Sequence, residues 1–231
     1  MRALPRLTSS TLPHPASVAE ADAPSEWALA LTDLRFRRLA LWMALLLATL
    51  VGVFIPPFFA WMQQRTGAQL PDPLLTLLPR HDVALPIFLL MYGAVGAGMG
   101  WLLRHPYLLL RGLWAYWLLL SLRVVCIWLV PLLPPVGLLP MPDPFTTLVF
   151  QTPGSELITH DLFFSGHTAT VALLALAVRG RIWRWGLALI AVVVGVLVLV
   201  QRVHYSYDVL AAPLFAWFAY WAAGRLVGKE A

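Results

Sequence analysis

Apolar residues along this chain gather into long runs separated by short polar stretches. The first run extends from near Leu39 to about Ala60 and ends around Pro56-Pro57. A second lies near Val83 to Leu103, a third near Leu108 to Val130, and a fourth near Leu162 to Val178. The fifth covers about Ile182 to Val200, and the sixth Tyr207 to Val227. A helix rises ~1.5 Å per residue and a bilayer core is ~30 Å thick, so each run reaches the length of a membrane crossing, the fourth only marginally. The pattern predicts an all-α membrane protein with six transmembrane helices.

What lies between the runs completes the plan. Residues 1–33 carry Pro5, Pro13, Pro15 and Pro24 among Ser, Thr and Ala, followed by Glu20, Asp22, Glu26 and Asp33. This composition reads as a disordered or loosely held tail. Residues 34–231 then form the six-helix catalytic domain. The first apolar run begins too late for a cleavable leader and is long enough to span. The longest connection, roughly Pro131 to Asp161, opens with Pro131, Pro134, Pro135, Pro140, Pro142 and Pro144, which oppose a regular helix and favour extended or turned backbone. A loop this long is often functional, as a lid or substrate entry. Gly93, Gly96, Gly98 and Gly100 of the second run follow no strand, so they read as packing positions and not as a phosphate loop.

Composition agrees with the pattern. The 231 residues are 60% hydrophobic and 12% charged, with mean hydropathy +0.77, which excludes an ordinary soluble domain. A net charge of +5 raises nucleic acid as a partner, but the placement of the arginines argues against it. Arg35, Arg37 and Arg38 precede the first run, Arg104 and Arg111 flank the second connection, Arg179, Arg181 and Arg184 crowd the fourth, and Arg225 and Lys229 follow the last. The alternate connections hold Arg65, Arg80 and Arg202 with Asp72, Asp82, Asp143, Glu156, Asp161 and Asp208. By the positive-inside rule both termini are cytoplasmic, and the carboxylate-rich connections face outward. The single cysteine, Cys126, excludes an intrachain disulfide and any cysteine-rich metal centre.

Two stretches carry chemistry. Asp161-Leu-Phe-Phe-Ser165-Gly166-His167-Thr168 leads a small polar turn into the fourth run, where backbone N–H groups at a helix start form a phosphate-type anion site. Arg202-Val-His204-Tyr205-Ser206-Tyr207-Asp208-Val209 joins the fifth run to the sixth and, if helical, puts His204 and Asp208 on one face. The topology brings both histidines to the same membrane face. Two histidines and an aspartate suit phosphoryl transfer without metal. One imidazole attacks phosphorus, the aspartate orients it, and the other protonates the departing oxygen. The near-neutral pKa of imidazole makes both roles feasible at physiological pH. A zinc site with an open fourth position is the alternative for the same three residues. Arg123, inside the third run, reads as a phosphate-binding residue, or as one that snorkels outward or pairs with an outer carboxylate. A lipid transporter or scramblase is the non-enzymatic alternative.

Both stretches resemble the sphingomyelin synthase group within the superfamily of type 2 phosphatidic acid phosphatases. That group carries Asp, three residues, then Ser-Gly-His-Thr, and later His-Tyr-Ser/Thr-any-Asp-Val; Asp161 to Thr168 and His204 to Val209 match both patterns in full. Its Pro-Asp element after the first span is met by Pro71-Asp72, and its arginine-bearing third span by Arg111 and Arg123. Thr159-His160 stands in place of the family's Cys-Gly, and the lysine six residues before Arg-Pro of general lipid phosphatases is absent. The resemblance implies that His204 is the nucleophile, Asp208 its orienting partner, and His167 the acid that later acts as base. Asp161, Ser165, Gly166, Arg123, Arg202 and Tyr205 would contact substrate, with no metal or other cofactor. The implied reaction moves a phosphohead group, such as phosphocholine, from a glycerophospholipid to His204 and then to a lipid hydroxyl, such as ceramide. With water as acceptor the same residues give a lipid phosphate phosphatase or a phospholipase C. The implied partners are membrane lipids as donor and acceptor, in a bacterial cytoplasmic membrane with the site on the periplasmic or extracellular side. A homo-oligomer stays open.

Overall fold

The structure is a computed structural model, and it describes residues 25–142 and 162–228. The first spanning element starts where the Asp33 side chain accepts the Arg35 N–H at 2.8 Å, capping helix α2 (Leu34–Thr49), which follows a short helix α1 (Glu26–Thr32). Pro56 and Pro57 lack N–H groups, and their rings press on the carbonyls four residues back. The chain answers with a π-helical turn, Leu50–Phe54, in which Ile55 N–H reaches the Leu50 carbonyl, before α3 (Ile55–Met62) completes a continuous 29-residue span.

Helix α4 (Pro73–Leu77) is a single turn capped by Asp72. Then come α5 (Ala84–Leu102), α6 (Pro106–Leu129), α7 (Gly166–Ala177), α8 (Arg181–Val200) and α9 (Ser206–Val227). Among the described residues, five elements are long and apolar enough to cross a membrane, as a multi-pass membrane protein requires. The fourth run departs from the expected six. Its helix, α7, has 12 residues and rises only about 18 Å. Leu162 to Phe164 are apolar but not helical, Phe163 has φ 145°, and at the other end Val178 is extended and Gly180 takes φ 93°.

The helices are arranged for a lipid surround. On α9 the fully buried face is Ala212, Ala216, Ala219 and Ala223, while Leu210, Leu214 and Trp217 point outward, each more than half exposed. Small residues let α9 lie close against α6 and α7, and large apolar side chains meet hydrocarbon. Helix α7 is wrapped by α5, α6, α8 and α9. Of the four α5 glycines expected to permit close packing, only Gly98 does so; a Cβ there would lie 3.1 Å from Leu174, whereas Gly93, Gly96 and Gly100 have no neighbour within 4 Å. Gly195 of α8 is tighter, since a Cβ would meet Val209 of α9 at 2.8 Å. Gly195→Ala is expected to cost about 1–3 kcal/mol by overpacking, read as a lowered thermal midpoint in detergent; an unchanged midpoint would remove the role assigned to this contact.

The tail expected over residues 1–33 includes structure at its end. In α1, Ala30 is fully buried and the Trp27 indole donates to the Leu103 carbonyl at 2.6 Å, seating the helix beside the start of α6. Residues 1–24 lie outside the described residues.

Candidate functional site

The starts of α5, α7 and α9 and the ends of α6 and α8 meet at one end of the bundle. After α8 the chain turns back on itself, with Val203 N–H reaching the Val198 carbonyl at 3.2 Å and Arg202 at φ 62°. This turn carries His204 back toward the bundle. His204 precedes α9, so its pairing with Asp208 is not the contact of two residues on one helix face. Tyr205 is the N-cap, and Asp208 reaches back from the first turn to accept the Tyr205 N–H at 3.1 Å. The same oxygen, Oδ2, lies 3.3 Å from His204 Nδ1, with both side chains almost fully buried. An ionised carboxylate only accepts hydrogen bonds, so Nδ1 carries the proton in this pair and the Nε2 lone pair is left for chemistry.

His167 faces His204, their ring centroids 6.3 Å apart and nearly edge to face, and the Phe88 ring from α5 stands 6.1 Å away on another side. Ser165, fully buried, is the N-cap of α7; its Oγ accepts from Thr168 N–H at 3.3 Å and from Thr168 Oγ1 at 3.1 Å. Its own N–H donates to the Asp208 carbonyl at 3.1 Å, which ties the starts of α7 and α9 together. Arg123 of α6, buried, donates through Nη1 to the Phe164 carbonyl and lies 5.6 Å over the Phe164 ring. A Cβ at Gly166 would stand 2.9 Å from the Arg123 Cζ, so the guanidinium approaches the α7 start only because residue 166 is glycine. A fixed cation and the N-terminus of a 12-residue helix thus converge beside two imidazoles.

The short α7 has a consequence for depth. Thr168 lies level with Gly195, five residues before the end of α8, so the site is recessed about 7 Å below that end. Gly166→Ala should therefore displace the Arg123 guanidinium without unfolding α7. A fall in turnover of about 10–100-fold is expected from misplacing a charged group by an ångström or so; unaltered kinetics would show that the guanidinium position does not matter.

Tyr205 and Arg202 are placed differently from the histidines. The Tyr205 hydroxyl accepts from Leu70 N–H at 3.2 Å and donates to the Leu133 carbonyl at 2.9 Å, and Arg202 Nη2 donates to the Leu78 carbonyl at 3.1 Å. Both brace the connections around the site. Burial pushes the Tyr205 hydroxyl pKa up, and the nearby Asp208 and Asp72 carboxylates add to this against the opposing Leu70 hydrogen bond. Of the two family-like arginines, Arg111 lies at the opposite end, 3.9 Å over the Tyr220 ring. Asp161 lies outside the described residues.

Two supports have no counterpart among the predicted site residues. Asp72 caps α4 and also accepts the Ser206 N–H at 2.6 Å and Ser206 Oγ at 3.0 Å, holding the first residue of α9. Burial acts to raise its pKa, but the hydrogen bonds from Ser206, Leu75 and Leu74 outweigh it and hold the carboxyl below its ordinary value. A depressed folded-state pKa contributes stability that is complete above the unfolded value of about 3.9 and lost as pH falls through the folded one. Asp72→Ala should cost about 2–3 kcal/mol at neutral pH, and the gap in thermal midpoint from wild type should shrink below about pH 4; a gap constant with pH would contradict the assignment. The second support is Gln201, fully buried at the end of α8. It accepts the Val83 N–H and donates to Asp82 at 3.2 Å, joining the start of α5 to the site turn. A lone glutamine closing an apolar run was the signal for it.

Among the described residues, no three His, Cys, Asp or Glu side chains stand together as a metal site would require. Residues 160–224 match the family model described as PAP2 superfamily C-terminal. The matched stretch contains His167, His204 and Asp208 and supports the type 2 phosphatidic acid phosphatase superfamily. No curated protein and no solved structure matches the chain. With its apolar spanning helices, the chain fits a membrane enzyme of the lipid phosphatase or phosphotransferase kind.

Proposed function

We propose that this protein is a lipid phosphotransferase of the sphingomyelin synthase-like kind, working through a phosphohistidine. The observation that carries the reading is the His204–Asp208 pair turned toward His167, beside the α7 start and Arg123. His204 Nε2 attacks the phosphorus of a glycerophospholipid headgroup such as phosphocholine, while His167 gives a proton to the leaving diacylglycerol oxygen. Asp208 holds the His204 ring and balances its positive charge. Arg123 and the α7 N–H groups offset the charge that builds on the phosphoryl oxygens. In the second half His167 takes the proton of an incoming lipid hydroxyl, such as that of ceramide, whose oxygen bonds to phosphorus as the His204 Nε2–phosphorus bond breaks and frees the imidazole.

A site recessed below the end of α8 and walled by apolar helices supports a lipid acceptor over bulk water. The arginine-rich connections, at residues 104–111 and 179–184, lie at the end opposite His204, so the positive-inside rule puts the site at the outer face and both termini in the cytoplasm. The chain would cross six times, with the non-helical residues 178–180 completing the passage begun by α7. The test is incubation of purified protein with headgroup-labelled phosphatidylcholine, with and without ceramide or diacylglycerol. Label should move to the added hydroxyl lipid. Release of free headgroup at the same rate without any acceptor would replace the transferase by a hydrolase.

A further inference from the structure

On the side of α6 turned away from the histidines, a groove of about 330 Å³ runs between the first span and α6. It is lined by Phe54, Phe58 and Trp61 on one wall and Val124, Val125 and Trp128 on the other. The wall residues belong to the π-turn, to α3 and to the last two turns of α6, so the groove lies within the leaflet at the site end. From Phe54 to Trp61 it covers about 10 Å of helix rise, the upper part of one leaflet of a ~30 Å core. Phe54 of the π-turn stacks on Phe58 at 5.8 Å, one helical turn on, so aromatic rings line the wall on the first span.

Arg65 sits at its mouth. The guanidinium lies 5.0 Å over the Trp61 ring, and Nη1 donates to the Trp128 carbonyl at 2.8 Å. One residue from each wall thus fixes the cation where the groove opens toward water. No carboxylate among the described residues pairs with Arg65, and its remaining N–H donors are those that match a phosphate. An apolar slot at membrane depth, closed at the interface by a fixed arginine between two tryptophans, has the chemistry of one lipid: a chain below, a negative headgroup above.

We propose that this groove binds an anionic glycerophospholipid, with one acyl chain lying between α3 and α6 and the phosphate paired to Arg65. The lipid bridges the first span, the least buried of the five, to the helix that carries Arg123. The site is separate from the histidines and does not rest on the reaction assigned to them.

The test uses full-length protein in nanodiscs containing trace phosphatidylglycerol or phosphatidylcholine with a photoreactive group on the acyl chain. Adducts are mapped by peptide mass spectrometry. With phosphatidylglycerol, adducts should concentrate on residues 54–61 and 124–128, and fall at least about fivefold in Arg65→Glu and in Val125→Trp, which fills the groove. Arg65→Lys should keep part of the labelling, and elution volume and thermal midpoint in detergent, measured alongside, confirm that each variant is folded whatever the histidine site does. Equal labelling by phosphatidylcholine, or labelling that ignores both variants, would overturn the proposal. So would a groove left unlabelled in a dimer that Val125→Trp dissociates, which would make a second copy the occupant.

Discussion

His204→Ala is expected to abolish headgroup transfer, with turnover falling by about 10⁴-fold or more, because it removes the nucleophile of the proposed reaction. The fold should survive. The His204 side chain makes a single hydrogen bond, to Asp208, while Tyr205 N–H still caps onto the same carboxylate and Ser165 N–H still reaches the Asp208 carbonyl. Expression level, elution volume and thermal midpoint should therefore stay near wild type. Full transfer activity in this variant would remove His204 as the nucleophile.

Asp208→Asn is expected to reduce turnover by about 10²–10⁴-fold. In wild type, one carboxylate oxygen serves both His204 Nδ1 and Tyr205 N–H. An asparagine oxygen in that position keeps both contacts and so keeps the start of α9, but it cannot balance the positive charge that His204 acquires on attack. If the amide turns its nitrogen inward instead, Nδ1 must become an acceptor and Nε2 carries the proton, which removes the nucleophilic lone pair. Either outcome lowers the rate; the first leaves the start of α9 intact, whereas the second also gives up the Tyr205 N–H contact, and glutamate should not restore the rate, because the longer chain displaces the shared oxygen. Wild-type turnover would exclude the dyad.

The apolar runs made most of the helices legible, and the two histidine stretches pointed to the residues that the structure brings together as a candidate site. Hydropathy reads the solvent around a segment and not its hydrogen bonding. Leu162-Phe163-Phe164 therefore looked like the start of a span, although the helix begins only after Ser165 takes the N-cap. The same blindness hid the π-turn, though Pro56-Pro57 marked where an ordinary helix must adjust. It also hid α1, whose Trp27 and Ala30 find partners far along the chain.

The residues that brace the site were the least visible because their partners are remote in sequence. Asp72 grips Ser206, Gln201 grips Val83 and Asp82, and Tyr205 bonds to Leu70 and Leu133. None of these pairings follows from spacing. Gly67 is a further case: a Cβ there would meet the Leu132 backbone at 2.9 Å, beside the bridge between Ala68 and Leu132. The pairing of His204 with Asp208 was legible from spacing, but for a different reason from the one the spacing suggested, since a capping turn and not a helical face brings them together.

The central claim is that His204 carries the phosphohead group between two lipids. It is tested most directly by rapid quenching of wild-type protein with headgroup-labelled donor and no acceptor, followed by mass spectrometry of the peptide containing His204 under neutral conditions. A covalent adduct of the headgroup phosphate on His204, chased off on adding a hydroxyl lipid, is the predicted result. Continued transfer with no adduct on His204, or with the adduct on another residue, would contradict it.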